Sequence, residues 1–363
     1  MRYDYLIVGA GFSGAVLAER IANVLKKTVL VIDKREHIAG NAYDFTDRSG
    51  ILVHKYGPHI FHTNSKEVFD YLSCFTDWVK YEHKVKVCYR GVKYPFPVNI
   101  NTLNMLYGLN IETEKEVKEY FEGVKRIIEH PSNSEEIVLS RFGKELYKIF
   151  FEKFTEKSWF AHPKKLSASV CGRIKPRYST DDRYFTDRFQ YMPAKGYTKM
   201  FAEMLRSPRI KVLLNTDFKN LPARIKFGKT VFTGPIDLYF DYKYGKLPYR
   251  SQIQEIKTVK KEFFQENAVV NYAGNEKYTR ITEFKHFYPV ISTLTIIGME
   301  YPKRKGEEFY PVLNPLSSLV FNKYKRLANE QRDVLFTGRL ANYKYYNMDQ
   351  VVAKSLKEFS GIS

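Results

Sequence analysis

A chain of 363 residues has room for two or three hydrophobic cores, at roughly 100 to 200 residues per domain. Its 44% hydrophobic and 27% charged residues, with 28 Tyr and 27 Phe, exclude a disordered chain. A formal net charge of +19 asks for a negative partner, but Lys and Arg are scattered without a run of five, and no zinc-finger, helix-turn-helix or ribonucleoprotein pattern occurs. A general field for a phosphorylated ligand is therefore favoured over a specific nucleic-acid footprint.

In chain order, the apolar run Tyr3 to Val8, the glycines Gly9, Gly11 and Gly14, the helical spacing of Val16, Leu17, Ile21 and Val24, and the run Thr28 to Ile32 predict strand, turn, helix and strand. From Thr113 to about Phe160 the period is helical, with Val117, Tyr120, Phe121, Val124, Ile127 and Ile128 on one face. Between Ser251 and Val320 the texture turns to short β-branched and aromatic stretches, Ala268 to Tyr272, Tyr278 to Ile281 and Val290 to Ile297, which predict an antiparallel sheet. Asp333 to Thr337 reads as a strand and Met348 to Phe359 as a helix, a return to the first domain. The expected fold is α/β: a Rossmann-like dinucleotide-binding domain with a helical insertion domain and an antiparallel β-sheet domain.

Cys74, Cys88 and Cys171, far apart and odd in number, predict neither a disulfide framework nor a metal site and suit a reducing cytoplasm. The first strand starts within the first few residues, which leaves no room for a cleaved signal peptide, and no apolar run reaches membrane-spanning length. The expectation is a cytoplasmic protein without integral membrane association.

Gly9-Ala10-Gly11-Phe12-Ser13-Gly14 follows a strand and opens a helix, the context that gives G-x-G-x-x-G its meaning. The first glycine permits the tight turn, the second lets backbone approach a pyrophosphate, the third lets the helix pack closely, and the helix N-terminus offers free N–H groups. Asp33 stands where a ribose hydroxyl is met. FAD, NAD and NADP all remain open, since Lys34 and Arg35 beside it can face a 2′-phosphate. The small-residue turn Ala39-Gly40-Asn41-Ala42 favours FAD, with Ala39 where a further glycine is common. His59 and His62 make an H-x-x-H spacing, but no third ligand follows at a readable interval, so no metal is expected.

The run His54-Lys55-Tyr56-Gly57-Pro58-His59-Ile60-Phe61-His62-Thr63-Asn64 resembles the signature of the UDP-galactopyranose mutases. The resemblance continues in family order through Phe154 to Trp159, Arg173 to Arg177, Tyr184 to Arg188, Gly196 to Lys199, Tyr249 to Ser251, Tyr278 to Arg280 and Gly338 to Ala341. It implies a redox-neutral isomerisation of UDP-galactopyranose to UDP-galactofuranose, for a bacterial surface glycan, through a covalent adduct between N5 of reduced FAD and the sugar's anomeric carbon. It also implies a reductant such as NAD(P)H and a homodimer. The nucleotide domain would comprise residues 1–80, 195–245 and 320–363; a helical domain with a mobile substrate loop, 103–187; and the sheet domain, 81–102, 188–194 and 246–319.

By the same resemblance Arg177 and Arg280 clamp the diphosphate and His62 lies close to the sugar, the three residues expected to carry the reaction. Arg173 and Arg250 are second-rank candidates to tune the flavin or the clamp, and Trp159 lies on a loop that closes over substrate. Thr155, Tyr184, Asn271, Glu300, Tyr310 and Tyr345 line the cleft, with His83 where some members have Asn. For the cofactor it implies His59 and Ile60 beside Gly9 to Gly14, Asp33, Lys34 and Asn41, with Arg339, Tyr346, Asn347, Met348, Gln350 and Val351 from the far end; Asn347 replaces an expected Asp. UDP-N-acetylgalactosamine is the runner-up substrate. An amine-oxidase-type flavoenzyme, which needs no diphosphate clamp, and a nonenzymatic nucleotide- or nucleic-acid-binding protein, which salt-sensitive binding to bulk nucleic acid without bound flavin would favour, are the alternatives from other classes.

Overall fold

Residues 1–362 are described in a computed structural model; Ser363, the end of the expected segment 320–363, lies outside them. The strand Arg2–Val8 is the centre of a five-stranded parallel sheet in the order Ile210–Leu213, Val29–Ile32, Arg2–Val8, Lys226–Phe232, Val334–Phe336. Leu6, Ile7 and all of Val29 to Ile32 are fully buried, as continuous apolar strands must be when both faces of a parallel sheet are covered. Helix Phe12–Asn23 packs on this sheet with Tyr197–Met204 and Met348–Ser360 beside it. Register brings Val8 opposite both Ile32 and Phe232, Ile32 opposite Leu213, and Phe232 opposite Phe336. All five strands therefore end at one edge, where open α/β sheets bind their ligands.

A second sheet of seven strands runs Tyr310–Pro311, Tyr249–Val259, Thr295–Lys303, Arg280–Glu283, Val269–Tyr272, Val85–Tyr89, Val92–Phe96. Its joints are antiparallel except that Val269–Tyr272 pairs in parallel with Val85–Tyr89. The expected strand Val290 to Ile297 begins only at Thr295. Ile291 is fully exposed on a loop after Pro289, which is tied at Ser292 by bonds from Lys285 Nζ (2.6 Å) and the Leu294 N–H (3.1 Å), so local turn bonding overrides β-branched propensity. Residues 188–194, expected in this sheet, lie elsewhere: Phe189–Pro193 pairs with Phe61–Thr63 and Trp78–Lys80 in a separate three-stranded sheet. Among the described residues no helix is long and apolar enough to cross a membrane.

Helix Glu114–Val124 buries Val117 and Phe121 as its period predicts. It ends before Ile127, which is 91% exposed, because the chain leaves the helix and the Arg126 N–H bonds to the Leu139 carbonyl. Helix Ser134–Leu146 breaks at Gly143 (φ 74°, ψ 178°), and the chain continues through the wide turn Tyr147–Glu152 into helix Lys153–Trp159. Phe121, Phe142, Phe150 and Phe151 share one core with Val87, Tyr94 and Phe96 of the second sheet, so the helical layer is anchored to that sheet.

A Cβ on Gly143 would sit 2.2 Å from the Val124 carbonyl oxygen, on a backbone that L side chains disfavour. Gly143→Ala is expected to destabilise the protein by roughly 3 kcal/mol, read by denaturant unfolding; an unchanged midpoint would show that the break is not required.

Candidate active site

At the common strand edge the glycines do three different jobs. Gly9 has φ 106° and a Cβ there would lie 2.1 Å from Thr233 Oγ1; a Cβ on Gly14 would lie 1.9 Å from the Gly9 carbonyl oxygen, so both are demanded by close packing. Gly11 has an ordinary φ of −83°, and its Cβ would meet only the Gly40 Cα, at 3.8 Å. Its lack of a side chain keeps the cleft open. Helix Phe12–Asn23 has no side-chain cap on its first turn, leaving N–H groups free for an anion. Asp33 accepts the Ala10 N–H on Oδ2 (2.8 Å) and the Arg35 N–H on Oδ1 (2.9 Å), which leaves each oxygen a lone pair for a ribose hydroxyl. Ala39 takes the left-handed conformation at φ 72°, the geometry that explains why glycine is common at its place.

The cleft so framed, with the open solvent at its mouth included, takes in about 1220 Å³. Gly9, Gly11, Phe12, Ser13, Asp33, Lys34, Asn41, His59, Arg339, Met348 and Val351, all named from the sequence, line it. Gly14, Ile60, Tyr346, Asn347 and Gln350 are not on its wall. Gly14 packs the helix, Ile60 is buried, the Tyr346 carbonyl holds Arg339 Nη2 (3.1 Å) and Asn347 with Gln350 forms the capping box of Met348–Ser360. Sequence reasoning missed Thr216, Thr233, Glu307 and Gly338, which also line the cleft. Arg35, a candidate 2′-phosphate reader, donates to Glu307 (2.7 Å) and Asn41 (2.8 Å), and Lys34 pairs with Glu308 (3.5 Å). Both cations thus already have carboxylate partners.

Arg339 is shared with a second compartment: it lines the cleft and lies over the Tyr310 ring at 4.7 Å. Tyr310 stacks on Tyr345 (5.3 Å), Arg250 lies over both Tyr310 (5.0 Å) and Trp159 (5.2 Å), and the exposed Arg173 donates to the Tyr345 hydroxyl at 3.0 Å. Strand register sets Asn271, Arg280 and Glu300 in one row across the second sheet. Arg280 Nε donates to Asn271 Oδ1 (3.1 Å), and the buried Glu300 carboxylate faces Arg250 (3.5 Å), Arg280 (3.6 Å) and the Thr279 hydroxyl (2.9 Å). Burial pushes the Glu300 carboxyl up, but Arg280 and Arg250 overrule it and hold it below the usual range. Enclosure likewise pushes the Tyr345 hydroxyl up, yet Arg173, Arg339, Arg250 and Arg280 together hold it below the ordinary tyrosine value.

The other sequence-named residues have partners of their own. Arg177 donates to the Tyr184 carbonyl (2.9 Å), and Asp181 and Asp187 lie among the charges it feels. Thr155 is buried against Cys171 Sγ (3.6 Å). Lys157, unnoticed in the sequence, pins the Trp159 helix to the second sheet through the carbonyls of Tyr272 (2.7 Å) and Glu276 (3.0 Å). The two histidines of H-x-x-H go separate ways. His59 holds the Gly57 carbonyl on Nδ1 (2.9 Å), and burial, then His54, press its pKa down to about 3, so it is neutral on the cleft wall. His62 Nδ1 meets Asp187 Oδ2 (2.8 Å) with its ring stacked on Phe185 (3.6 Å). His83 is buried, and that burial, with Arg280 and His62 nearby, presses it to about 3.

Because Gly11 has space and ordinary backbone angles, Gly11→Val is expected to leave thermal unfolding nearly unchanged while preventing copurification of a dinucleotide. Gly14→Val, which drives side-chain carbons into the Gly9 carbonyl, is expected to destabilise by roughly 3 kcal/mol or more. Equal losses of stability in the two would refute this division.

The UDP-galactopyranose mutase family model matches residues 149–345, and an NAD(P)-binding Rossmann-like domain model matches 7–75. The chain is 36% identical over 361 residues to a probable UDP-galactopyranose mutase of Klebsiella pneumoniae, covering 98% of this chain and 93% of that one. It is 34% identical over 363 residues to a dTDP-fucopyranose mutase of Escherichia coli, covering 97% and 96%. A crystal structure of reduced UDP-galactopyranose mutase superposes with a TM-score of 0.78 at 16% identity, covering 100% of this chain and 94% of that chain. A putrescine oxidase shares the fold at a TM-score of 0.60 and 13% identity, covering 100% and 99%. With a matching family model over more than half its length and relatives above 30% identity from end to end, the chain belongs to the UDP-galactopyranose mutase family.

Proposed function

We propose that the protein is a flavin-dependent isomerase that interconverts UDP-galactopyranose and UDP-galactofuranose, with FAD in the glycine-edged cleft and the sugar nucleotide's diphosphate on the arginine–tyrosine cluster. The observation that carries this reading is Arg339, one side chain on the wall of both compartments, which joins a dinucleotide cradle to an anion site. The cradle fits the cofactor: Gly11 leaves backbone open to a pyrophosphate, Asp33 keeps free lone pairs, and the carboxylates beside Lys34 and Arg35 disfavour a 2′-phosphate there. When bound and reduced, the flavin supplies the nucleophile for the anomeric carbon.

The protein's own share is position and charge. Four guanidiniums, those of Arg173, Arg250, Arg280 and Arg339, gather around the tyrosines and one carboxylate, Glu300. That surplus favours the negative charge that grows on departing UDP. The lowered Tyr345 hydroxyl reports the same field. Arg173, with its bond to Tyr345, takes the clamp role beside Arg280 that the resemblance implied for Arg177. Trp159, over Arg250, excludes water from the reacting sugar, and neutral His59 adds no charge beside the flavin. An amine oxidase needs no such cluster.

The likeness to the dTDP-fucopyranose mutase favours one second reading, the same ring contraction on a thymidine-linked deoxysugar. Free Cys88 and Cys171, both buried, suit a reducing cytoplasm, and the family resemblance carries with it a nicotinamide reductant and a homodimer.

The test is to incubate purified protein with UDP-galactofuranose, with and without dithionite, beside the dTDP-fucose and UDP-N-acetylgalactosamine counterparts. Conversion of UDP-galactofuranose only under reduction is expected; conversion of another pair alone would transfer the assignment to that sugar. Arg173→Ala and Arg280→Ala are expected to lower kcat/KM by about 10²- to 10³-fold with flavin retained, and Arg177→Ala by much less; the reverse order would return the clamp to Arg177. Diphosphate binding prefers a neutral Tyr345. UDP affinity should therefore fall as pH rises through the lowered Tyr345 pKa, and Tyr345→Phe should remove that alkaline loss.

A further inference from the structure

A clamp arginine favours charge on a departing diphosphate only where its backbone aims it, and Arg173 is an exposed residue directly after the short helix Ala168–Gly172. A long side chain on an unsupported loop samples many directions. What holds the backbone at Arg173 therefore decides whether its guanidinium meets Tyr345 or points into solvent.

We propose that Arg141 is the positioning residue for Arg173 and acts by pinning the peptide groups on either side of it. Arg141 Nη1 donates to the Gly172 carbonyl at 2.5 Å and to the Ile174 carbonyl at 2.9 Å. These carbonyls belong to the residues immediately before and after Arg173, and the two hydrogens of one guanidinium nitrogen serve one each. From the other side, the Cys171 carbonyl accepts the N–H groups of Arg173 and Ile174. Arg173 is thereby held at φ −70° and ψ −22°, and those angles set the direction in which its side chain leaves the chain.

The helix Ser134–Leu146 fits Arg141 to this task. Ser134 and Arg141 lie two turns apart along one face of it. The Ser134 N–H donates to the Leu166 carbonyl (3.0 Å) and its hydroxyl to the Ser167 carbonyl (2.7 Å). The helix thus holds the entry to Ala168–Gly172 with its first residue and the exit with Arg141. Burial presses the Arg141 guanidinium below its ordinary pKa, opposed by Tyr178, and among the described residues no carboxylate pairs with it. A partly buried cation without an anion must find its compensation in carbonyl dipoles, and the two it finds flank Arg173. The far end of the loop is tied separately: the Arg177 N–H donates to the Val98 carbonyl (2.9 Å), and Asn99 and Asn101 both donate to Asp182 Oδ1 (2.6 and 3.0 Å). Loss of the Arg141 bonds therefore frees Arg173 and leaves that end in place.

This inference rests on the clamp role proposed for Arg173, so Arg173→Ala is measured first, by UDP titration of the flavin-loaded protein and by interconversion kinetics. No effect of that variant sinks the clamp, and a role for Arg141 through Arg173 falls with it. UDP titration needs no turnover, so a wild type inactive on UDP-galactofuranose overturns the isomerase reading and leaves the test of Arg141 standing. Arg141→Met keeps the apolar stem and removes every donor. It is expected to weaken UDP binding and to lower kcat/KM by about 10- to 10²-fold, with flavin content unchanged. The double variant carrying Arg141→Met and Arg173→Ala separates positioning from general support. It is expected to match Arg173→Ala within about threefold, because a residue that acts only through Arg173 then has nothing left to position. Wild-type UDP affinity in Arg141→Met overturns the proposal, as does a loss that adds in full to that of Arg173→Ala, which marks support of the helical layer as a whole. Should Arg141→Met not fold, Arg141→Gln, too short to hold both carbonyls, takes its place in the same cycle: a loss that vanishes without Arg173 supports the proposal, and no loss, or one that persists, ends it.

Discussion

Glu300 is the constraint around which the arginine–tyrosine cluster is organised. Its carboxylate is buried between Arg250 and Arg280 and is bonded by Thr279; without both cations such an anion would be driven to protonate. Two arginines satisfy it, and Arg173 and Arg339 then add positive charge beyond what that carboxylate balances. Like charges at this density repel. The rings of Trp159, Tyr310 and Tyr345 separate the guanidiniums and present π faces to them, which turns mutual repulsion into a set of weaker attractions. The result is an array of guanidiniums held in place before any ligand arrives, which suits the diphosphate proposed for it.

That array needs all three layers of the molecule. Trp159 and Arg173 come from the helical layer, Arg250, Arg280, Glu300 and Tyr310 from the second sheet, and Arg339 and Tyr345 from the return to the nucleotide-binding layer. The Gly143 break, the Lys157 anchor and the shared phenylalanine core set where the first contribution falls. Strand register sets the second, because a shift of one residue between Arg280–Glu283 and Thr295–Lys303 would send Glu300 to the other face of the sheet.

What the sequence made legible follows the range of the interactions involved. Gly9, Gly11, Gly14 and Asp33 were readable because their geometry is set within one βαβ unit. Thr216, Thr233 and Gly338 were not, since only the alignment of five distant parallel strands brings them to the same edge. Asn271, Arg280 and Glu300 could each be named by resemblance, yet their common row is a property of pairing. Arg173 and Arg177 lie four residues apart in a stretch without a readable period, so nothing local says which one faces the tyrosines. Ile127, Val290 and Ile291 failed for a simpler reason: composition favoured helix and strand, and loop bonds to Leu139 and Ser292 prevailed.

The net charge of +19 gains a physical meaning from the shared wall at Arg339. If cofactor and substrate each bring a diphosphate, two dianions must occupy neighbouring compartments, and their repulsion opposes simultaneous binding. Guanidiniums between them shield that repulsion where it is strongest, and the surplus of 59 Lys and Arg over 40 Asp and Glu lowers it further at longer range. The exposed Lys–Glu pairs on the helical layer, such as Lys118 with Glu114 and Lys125 with Glu122, contribute little to stability. What the basic balance supplies is a positive potential in which a second anion can join the first.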